Sequence, residues 1–376
     1  MQRFYNGCVY SYGRRCNPNV IILRQVVLIP YRHMLLSDFA FDLPEELIAQ
    51  QPLAERSDSR MLLVDRAGRR YFDAEFSKFS RILRKGDLLV VNNTRVFPAR
   101  LLGRSETGAR IELFLIEEIA GGNWIVLARP GKRIKPGKMI RFGNDLTAEV
   151  LEKTEDGHVV VRFNNDGHLE GAIDAIGYTP LPPYIKRDIE APDRDRERYQ
   201  TIFARERGAI AAPTAGLHFS DATFEELAAN GIEVGQITLH VGYGTFEPVR
   251  ASDLSSHRVA PERFVIADDE AEKLEKARRE NRRIVAVGTT TTRTLEYVLT
   301  THGSFQGLSG RADVTIVPGY KFAAVGAILT NFHLPESSLL ILVATFGGHQ
   351  LIMDVYRHAV RSRYRFYSYG DCMFVE

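Results

Sequence analysis

Cysteine is scarce in this chain of 376 residues: Cys8, Cys16 and Cys372 are the only three. An odd, sparse set builds no disulfide framework and leaves no Cys-rich zinc site, which fits a reducing compartment. No apolar run approaches the ~18–20 residues that a membrane-crossing helix needs. Excess charge of either sign is missing too. The net charge is +2, with 44% hydrophobic and 26% charged residues, a balance typical of folded rather than disordered chains. Overall charge therefore gives no argument for a nucleic-acid partner, and any RNA contact has to come from a local basic patch. The length exceeds what one compact core usually absorbs, so two domains are expected.

Residues 1–33 lack acidic side chains altogether, while carrying Arg3, Arg14, Arg15, Arg24 and Arg32. Without them, 44 basic residues face 47 acidic ones, a net of −3. The apolar run Val20 to Pro30 is broken by Arg24 and Gln25, and no small-residue cleavage site follows, so a secretory signal fits poorly. A transit peptide is one option. The preferred reading is a disordered non-native or upstream leader ahead of Met34.

From Met34 the pattern is that of a folded α/β chain. Pro44 with Glu45 and Glu46 predicts a short helix to Gln51. "RMLLVDRAGRRYFDAEF" reads as strand, turn and strand, and "GDLLVVNNTRV" as a buried strand with a polar end. Between Ala99 and Phe163 the texture changes. Six short apolar or alternating runs are separated by turn signals at Gly108, Gly121-Gly122, Pro136-Gly137 and Asp156-Gly157. That spacing predicts a small all-β barrel. The expected organisation is an α/β main domain, residues 34–98 plus 180–376, with an inserted β-barrel domain at 99–179. Within the main domain, Ser220 and Asp268 are expected to cap helices, and Ile284 to Val287 reads as a buried strand. The run Leu339 to Phe346 fits strand or buried helix, with Pro335 favouring helix.

Several segments carry candidate chemistry. "RIVAVGTTTTRTLE" is a strand, a glycine turn and a helix start rich in hydroxyls. Its unpaired N–H groups, with Thr289, Thr290 and Arg293, suit a carboxylate or phosphate. A threonine-capped helix without a ligand would read the same way, and the Gly-Lys-Ser/Thr end of a Walker loop is absent. "AAPTAGLHFS" places Thr214 and His218 before a helix cap. "LHVGYGTFEPV" places His240 at a strand end, followed by Thr245. "LTNFHLP" places Asn331 and His333 after a strand. Taken singly, each histidine is more readily a structural hydrogen-bonding group. Three at element ends beside Gly or Pro suggest one site rim. No metal-binding spacing accompanies them. "RPGKRIKPGKMIR" is a basic loop with Lys132, Arg133, Lys135 and Lys138, and "YRHAVRSRYRFYSYG" interleaves Arg361 and Arg363 with aromatics. Both could track RNA phosphates, or be a solvated loop and a packed helix end.

Taken in order, "SDFAFDLPEELIAQQPLAERSDSRMLLVDR", "GDLLVVNNTRVFPARL", "RPGKRIKPG", "ERYQTIFA", "AAPTAGLHF", "LHVGYGTFEPV", "VGTTTTRTLE", "LTNFHLPESSLL" and "YRHAVRSRYRFYSYGDCMF" resemble the S-adenosylmethionine:tRNA ribosyltransferase-isomerases of queuosine synthesis. The resemblance runs from Met34 to Glu376. It implies a cytoplasmic monomer with no metal or bound prosthetic group. S-adenosylmethionine would be a co-substrate that donates its ribosyl moiety to 7-aminomethyl-7-deazaguanine at the wobble position of tRNA with a GUN anticodon. The products would be epoxyqueuosine-tRNA, adenine and methionine. Under that reading His218, His240 and His333 are the proton-transfer candidates, with no assignment of one histidine to one step. Thr214, Thr245, Thr289, Thr290, Arg293 and Asn331, with Asn92, Asn93 and Arg95, are the substrate-binding candidates.

The sequence departs from the family pattern in places. "HRVAPE" keeps His257 and Glu262 but has Val259 and Ala260 where Met and a second His are usual, and Gly326 stands where Asp is common. Two rival readings are an RNA methyltransferase and a non-catalytic RNA-binding module. The first predicts a Gly-rich turn after the first strand that does not stand out here. The second has no need of the histidine-bearing loops.

Overall fold

The computed structural model describes residues 34–143, 146–164, 167–188, 193–246, 249 and 251–376, so the expected leader 1–33 lies outside the described residues. In chain order the strands are β1 (Arg60–Asp65), β2 (Arg70–Glu75), β3 (Leu88–Asn92), β4 (Thr94–Val96), β5 (Arg100–Ser105), β6 (Arg110–Ile119), β7 (Asn123–Arg129), β8 (Met139–Arg141), β9 (Thr147–Lys153), β10 (Val159–Asn164), β11 (Glu206–Ala209), β12 (Glu233–Leu239), β13 (Glu262–Ile266), β14 (Ile284–Val287), β15 (Leu308–Ala312), β16 (Ala327–Asn331) and β17 (Cys372–Val375). The helices are α1 (Phe79–Ile82), α2 (Leu169–Ile176), α3 (Asp195–Arg198), α4 (Asp221–Ala229), α5 (Asp268–Arg279), α6 (Thr289–His302), α7 (Ser338–Gly347) and α8 (His349–Arg361).

A nine-stranded mixed sheet in the order β15-β13-β12-β3-β14-β16-β17-β1-β2 forms the main layer. Its centre, β12 to β16, is parallel. Strands buried on both faces need apolar residues at every position, which is why β3, β14 and β16 read as continuous runs. The pleat sends alternate side chains to opposite faces. Leu88 and Val90 of β3 join the core that contains Leu295 and Val298 of α6 and the inner stripes of α7 and α8. Leu89 and Val91 join the core of Phe76, Phe79, Phe219 and Leu227, under α1 and α4.

Strands β5 to β10 close into an antiparallel barrel in the order β10-β7-β6-β5-β8-β9. Leu101, Leu113, Leu115, Val126, Val150 and Val161 are fully buried in its centre. All six expected strand runs are present. The chain enters and leaves this barrel side by side, because Arg100 N–H donates to the Tyr178 carbonyl at 3.3 Å and Tyr178 N–H donates back at 2.9 Å.

Two local expectations change and one open choice is resolved. The helix expected from Glu45 to Gln51 is a single 3-10 turn, Glu45–Leu47. Ile48 bridges to Phe366, and Ala49 N–H donates to the Phe366 carbonyl at 3.2 Å, so tertiary pairing takes the groups a longer helix needs. Asp268 does not cap α5. It is the first helical residue, after Ala267, where its charge favours the helix N-terminus. The run at Leu339 is helix α7, N-capped by Ser337, whose Oγ accepts from Leu340 N–H at 3.2 Å. Among the described residues no single helix is long and apolar enough to cross a membrane.

Candidate active site

The parallel strands β14 and β16 are hydrogen-bonded neighbours, so their C-terminal ends emerge together at the middle of the sheet. The crevice outside such ends is where open α/β sheets bind ligands. From β14 the chain turns through Gly288, whose φ of +89° is readily available only to glycine, into α6. From β16 it runs through Asn331 to His333 and Pro335 before α7. A cavity of about 350 Å³ opens at this point. It is lined by Thr289 and Thr290, by Thr330, Asn331 and His333, and by Ala211 to Ala215 including Thr214. A smaller cavity of about 70 Å³ shares Thr289, Thr290 and His333 and adds His257, Val259, Glu262 and Arg293.

The helix start offers its hydroxyls unequally. Thr291 and Thr292 donate back to the Val287 and Gly288 carbonyls, at 2.7 and 3.0 Å. Thr290 Oγ1 is buried with no partner among the described residues. Asn331 Nδ2 donates to the Tyr367 carbonyl at 2.9 Å, while its Oδ1 is buried without a partner at full hydrogen-bond geometry and interacts with the His218 ring. His333 Nε2 lies 2.9 Å from Thr330 Oγ1, and its backbone N–H donates to the Tyr356 hydroxyl at 3.0 Å. Burial lowers the His333 pKa to about 3, so the ring is neutral near pH 7.

The other histidines do not reach this cavity. His218 sits behind it in a separate small cleft that shares only Ser368 with the main cavity lining. Its Nδ1 lies 2.8 Å from Ser59 Oγ, its ring packs on Phe76, and its pKa falls to about 4, mainly through burial. His240 lines neither cavity. Its Nδ1 lies 2.9 Å from Thr94 Oγ1, and its ring lies close over Gly208, where a Cβ would come within 2.7 Å of it. The expected rim of three histidines is therefore one wall residue, one backing residue and one outlier.

Further expectations are redirected by partners that local sequence does not reveal. Arg293 is no open anion fork: it is buried, paired with Glu262, and donates to the Val314, Ala260 and Ala312 carbonyls. Asn92 joins strands, donating to the Leu239 carbonyl and accepting from the N–H groups of Thr94 and Leu239. Asn93 is held by Gln236 and Thr238. Arg95 is exposed on β4 and lines neither cavity. Thr245 lies in a 3-10 turn, and its side chain is outside the described residues, as is that of Arg133. Lys132, Lys135 and Lys138 are exposed on the barrel, with Lys138 3.5 Å from Glu106. Arg361 and Arg363 are exposed at the end of α8, with Arg363 3.9 Å from Glu46.

The sequence reading missed the aromatic wall. Tyr184, Tyr199 and Tyr367 line the cavity, and the Tyr184 and Tyr367 ring centroids are 3.9 Å apart. Burial raises all three phenol pKa values, that of Tyr199 to about 12, so the hydroxyls stay protonated. Their signal was present in "PPYIKR", "ERYQ" and "RFYSYG", but these segments read as a connecting loop and a packed end. Among the described residues no group of three or more His, Cys, Asp or Glu side chains is placed to hold a metal ion.

The arrangement combines an anion-favouring helix start, an aromatic wall and the neutral His333 imidazole at the mouth of a parallel sheet. A family model described as queuosine biosynthesis protein matches residues 36–375. The chain belongs to this family. Curated relatives named S-adenosylmethionine:tRNA ribosyltransferase-isomerase include that of Syntrophotalea carbinolica, 46% identical over 91% of this chain and 100% of its own length. That of Acetivibrio thermocellus is 46% identical with the same coverage. A crystal structure titled S-adenosylmethionine tRNA ribosyltransferase, from Thermotoga maritima, is 34% identical over 90% of this chain and all of that one, with a TM-score of 0.52. The departures at Val259 and Ala260 fall around the smaller cavity, whereas Gly326 lies away from it, against Arg283 and Arg66. Val259 lines the cavity, His257 Nε2 lies 2.9 Å from Ser338 Oγ, and the Ala260 carbonyl accepts from Arg293.

Proposed function

We propose that this protein is an S-adenosylmethionine:tRNA ribosyltransferase-isomerase of tRNA queuosine synthesis. It moves and isomerises the ribosyl moiety of S-adenosylmethionine onto 7-aminomethyl-7-deazaguanine at the wobble position of GUN-anticodon tRNA. Epoxyqueuosine-tRNA, adenine and methionine are released. The reading takes it to be a cytoplasmic monomer. It assigns 34–98 plus 180–376 to the catalytic domain and 99–179 to the inserted barrel. The observation that carries it is the meeting of Thr214, Thr289, Thr290, Asn331 and His333, from three separated family segments, around one cavity.

The residue roles follow from the chemistry. The methionine carboxylate lies at the start of α6, where free N–H groups and the Thr290 hydroxyl favour an anion. The sulfonium, a fixed cation, lies against the Tyr184 and Tyr367 rings, whose faces attract positive charge. The reaction needs a base for the C5′ proton beside the sulfonium, an acid for departing adenine, and a proton acceptor for the aminomethyl nucleophile. His333, neutral and in the wall, is a proton acceptor or hydrogen-bonding group rather than the acid. His218 supports the wall from behind, held by Ser59 and interacting with the Asn331 side chain of the wall.

Incubation of precursor-carrying tRNA with S-adenosylmethionine, followed by mass spectrometry of nucleosides and small products, tests this. Epoxyqueuosine with free adenine and methionine supports it. S-adenosylhomocysteine as the product would overturn it in favour of methyl transfer.

A further inference from the structure

Beside the main cavity lies a second cleft of about 420 Å³, formed between the barrel and residues 181–187. Pro183 lines both, and neighbouring Tyr184 belongs to the main cavity, so one short stretch of backbone is the wall between them. The floor of the second cleft holds Phe114 of β6 and Tyr243 from the loop after β12, with ring centroids 5.9 Å apart in an edge-to-face pair. Both rings are only partly buried. The rim is basic. Arg100, Arg129, Lys186 and Arg187 line it with Glu112 as the one lining carboxylate, while Lys186 pairs with Glu45 and Arg187 with Asp195 from outside the cleft. Glu112 is already bound twice by Arg100, at 2.6 and 3.2 Å. Arg129 is exposed and makes no ion pair among the described residues.

An aromatic floor under a cationic rim matches a nucleotide: the base stacks on the ring and the phosphate meets the guanidinium. Continuity across Pro183 matches a neighbour of whatever base enters the main cavity. We propose that this cleft seats the nucleotide next to the modified wobble base. The flanking base lies on Tyr243, and its phosphate is held by Arg129. The inference rests on the tRNA reading above and adds a docking site between the domains.

Stacking geometry is read directly with unmodified anticodon stem-loop RNA carrying 2-aminopurine on one side or the other of the wobble position. Binding to the full-length wild-type protein should quench the probe at one of the two positions. The quench should vanish with Tyr243→Ala and persist with Tyr243→Phe. The Tyr243→Ala protein should also bind the stem-loop about tenfold more weakly. An Arg129→Gln protein should keep the quench but lose part of the salt dependence of binding. A Tyr243→Ala protein that fails to fold is recognised by its melting curve, and the wild-type quench then decides alone. An unchanged quench in folded Tyr243→Ala protein overturns the proposal. So does no quench at either position with wild-type protein that still releases adenine from precursor-carrying tRNA, and that result leaves the proposed function standing. Absence of adenine release, with the quench present and ring-dependent, would remove the function and keep the RNA site.

Discussion

Arg293 of α6 and Glu262 of β13 form an ion pair beneath the smaller cavity, with the two residues only 5% and 7% exposed. Glu262 Oε1 also accepts from Gly242 N–H at 3.1 Å, so the pair ties a helix, a strand and the loop after β12 together. Removing one partner leaves a charge without compensation in a poorly solvated place. Glu262→Met or Arg293→Met should each destabilise the fold by about 3–5 kcal/mol, while the double replacement by Met costs less than the sum. Urea titrations of the three variants measure this. Additive losses would show that the pair is not coupled.

Stability should fall with acid in a defined window. His333 and His218 have folded pKa values of about 3 and 4, below the ordinary 6.5, chiefly because burial disfavours the charged ring. The unfolded chain therefore binds more protons between these limits. The contribution of each ring is complete above about pH 6.5 and shrinks as pH falls toward its folded value. Denaturation midpoints at pH 7.5 and 5.0 should differ less for His333→Asn than for wild type. Equal differences would place the acid sensitivity elsewhere.

Gly288→Ala tests the turn into α6. An added Cβ would meet nothing closer than Thr290 Oγ1 at 3.6 Å, so crowding is minor. The positive-φ extended backbone, φ +89° with ψ 156°, is the cost, about 1–3 kcal/mol. Because this turn aims the first N–H groups of α6 at the cavity, KM for S-adenosylmethionine should rise more than kcat falls. A drop confined to kcat would argue against carboxylate binding here.

Tyr367→Leu separates charge recognition from size. With the Tyr184–Tyr367 wall intact, S-adenosylmethionine should bind more tightly than uncharged S-adenosylhomocysteine. Loss of one ring should erase about 0.5–2 kcal/mol of that preference. Calorimetric titration with both compounds reports the difference. An unchanged ratio would remove the sulfonium from this wall.

The parts legible in sequence were those set by local pattern. The six barrel strands alternate and are punctuated by Gly, and β14 and β3 up to Asn92 are apolar throughout because helices and loops cover both faces. Strands β13, β15 and β17 went unremarked. The residues of β13 and β15 mix charge or glycine with apolar positions, β17 is a run of only four apolar residues, and all three pair with strands far away in the chain. The same distance effect governs the site. Thr289, Thr290 and His333 could be placed because each lies just past the end of a buried strand, β14 or β16. Whether Arg293 faced a ligand depended on Glu262, 31 residues earlier. The aromatic wall needed Tyr184 and Tyr367 brought together by tertiary packing alone.

Arg100 and Tyr178 exchange two backbone hydrogen bonds where the barrel departs from the sheet. Because the exit lies beside the entrance, everything between them is topologically a cassette. A tight turn spliced across that gap would leave the strands of the large sheet in their present order, and genetic gain or exchange of the module requires no rethreading of the host.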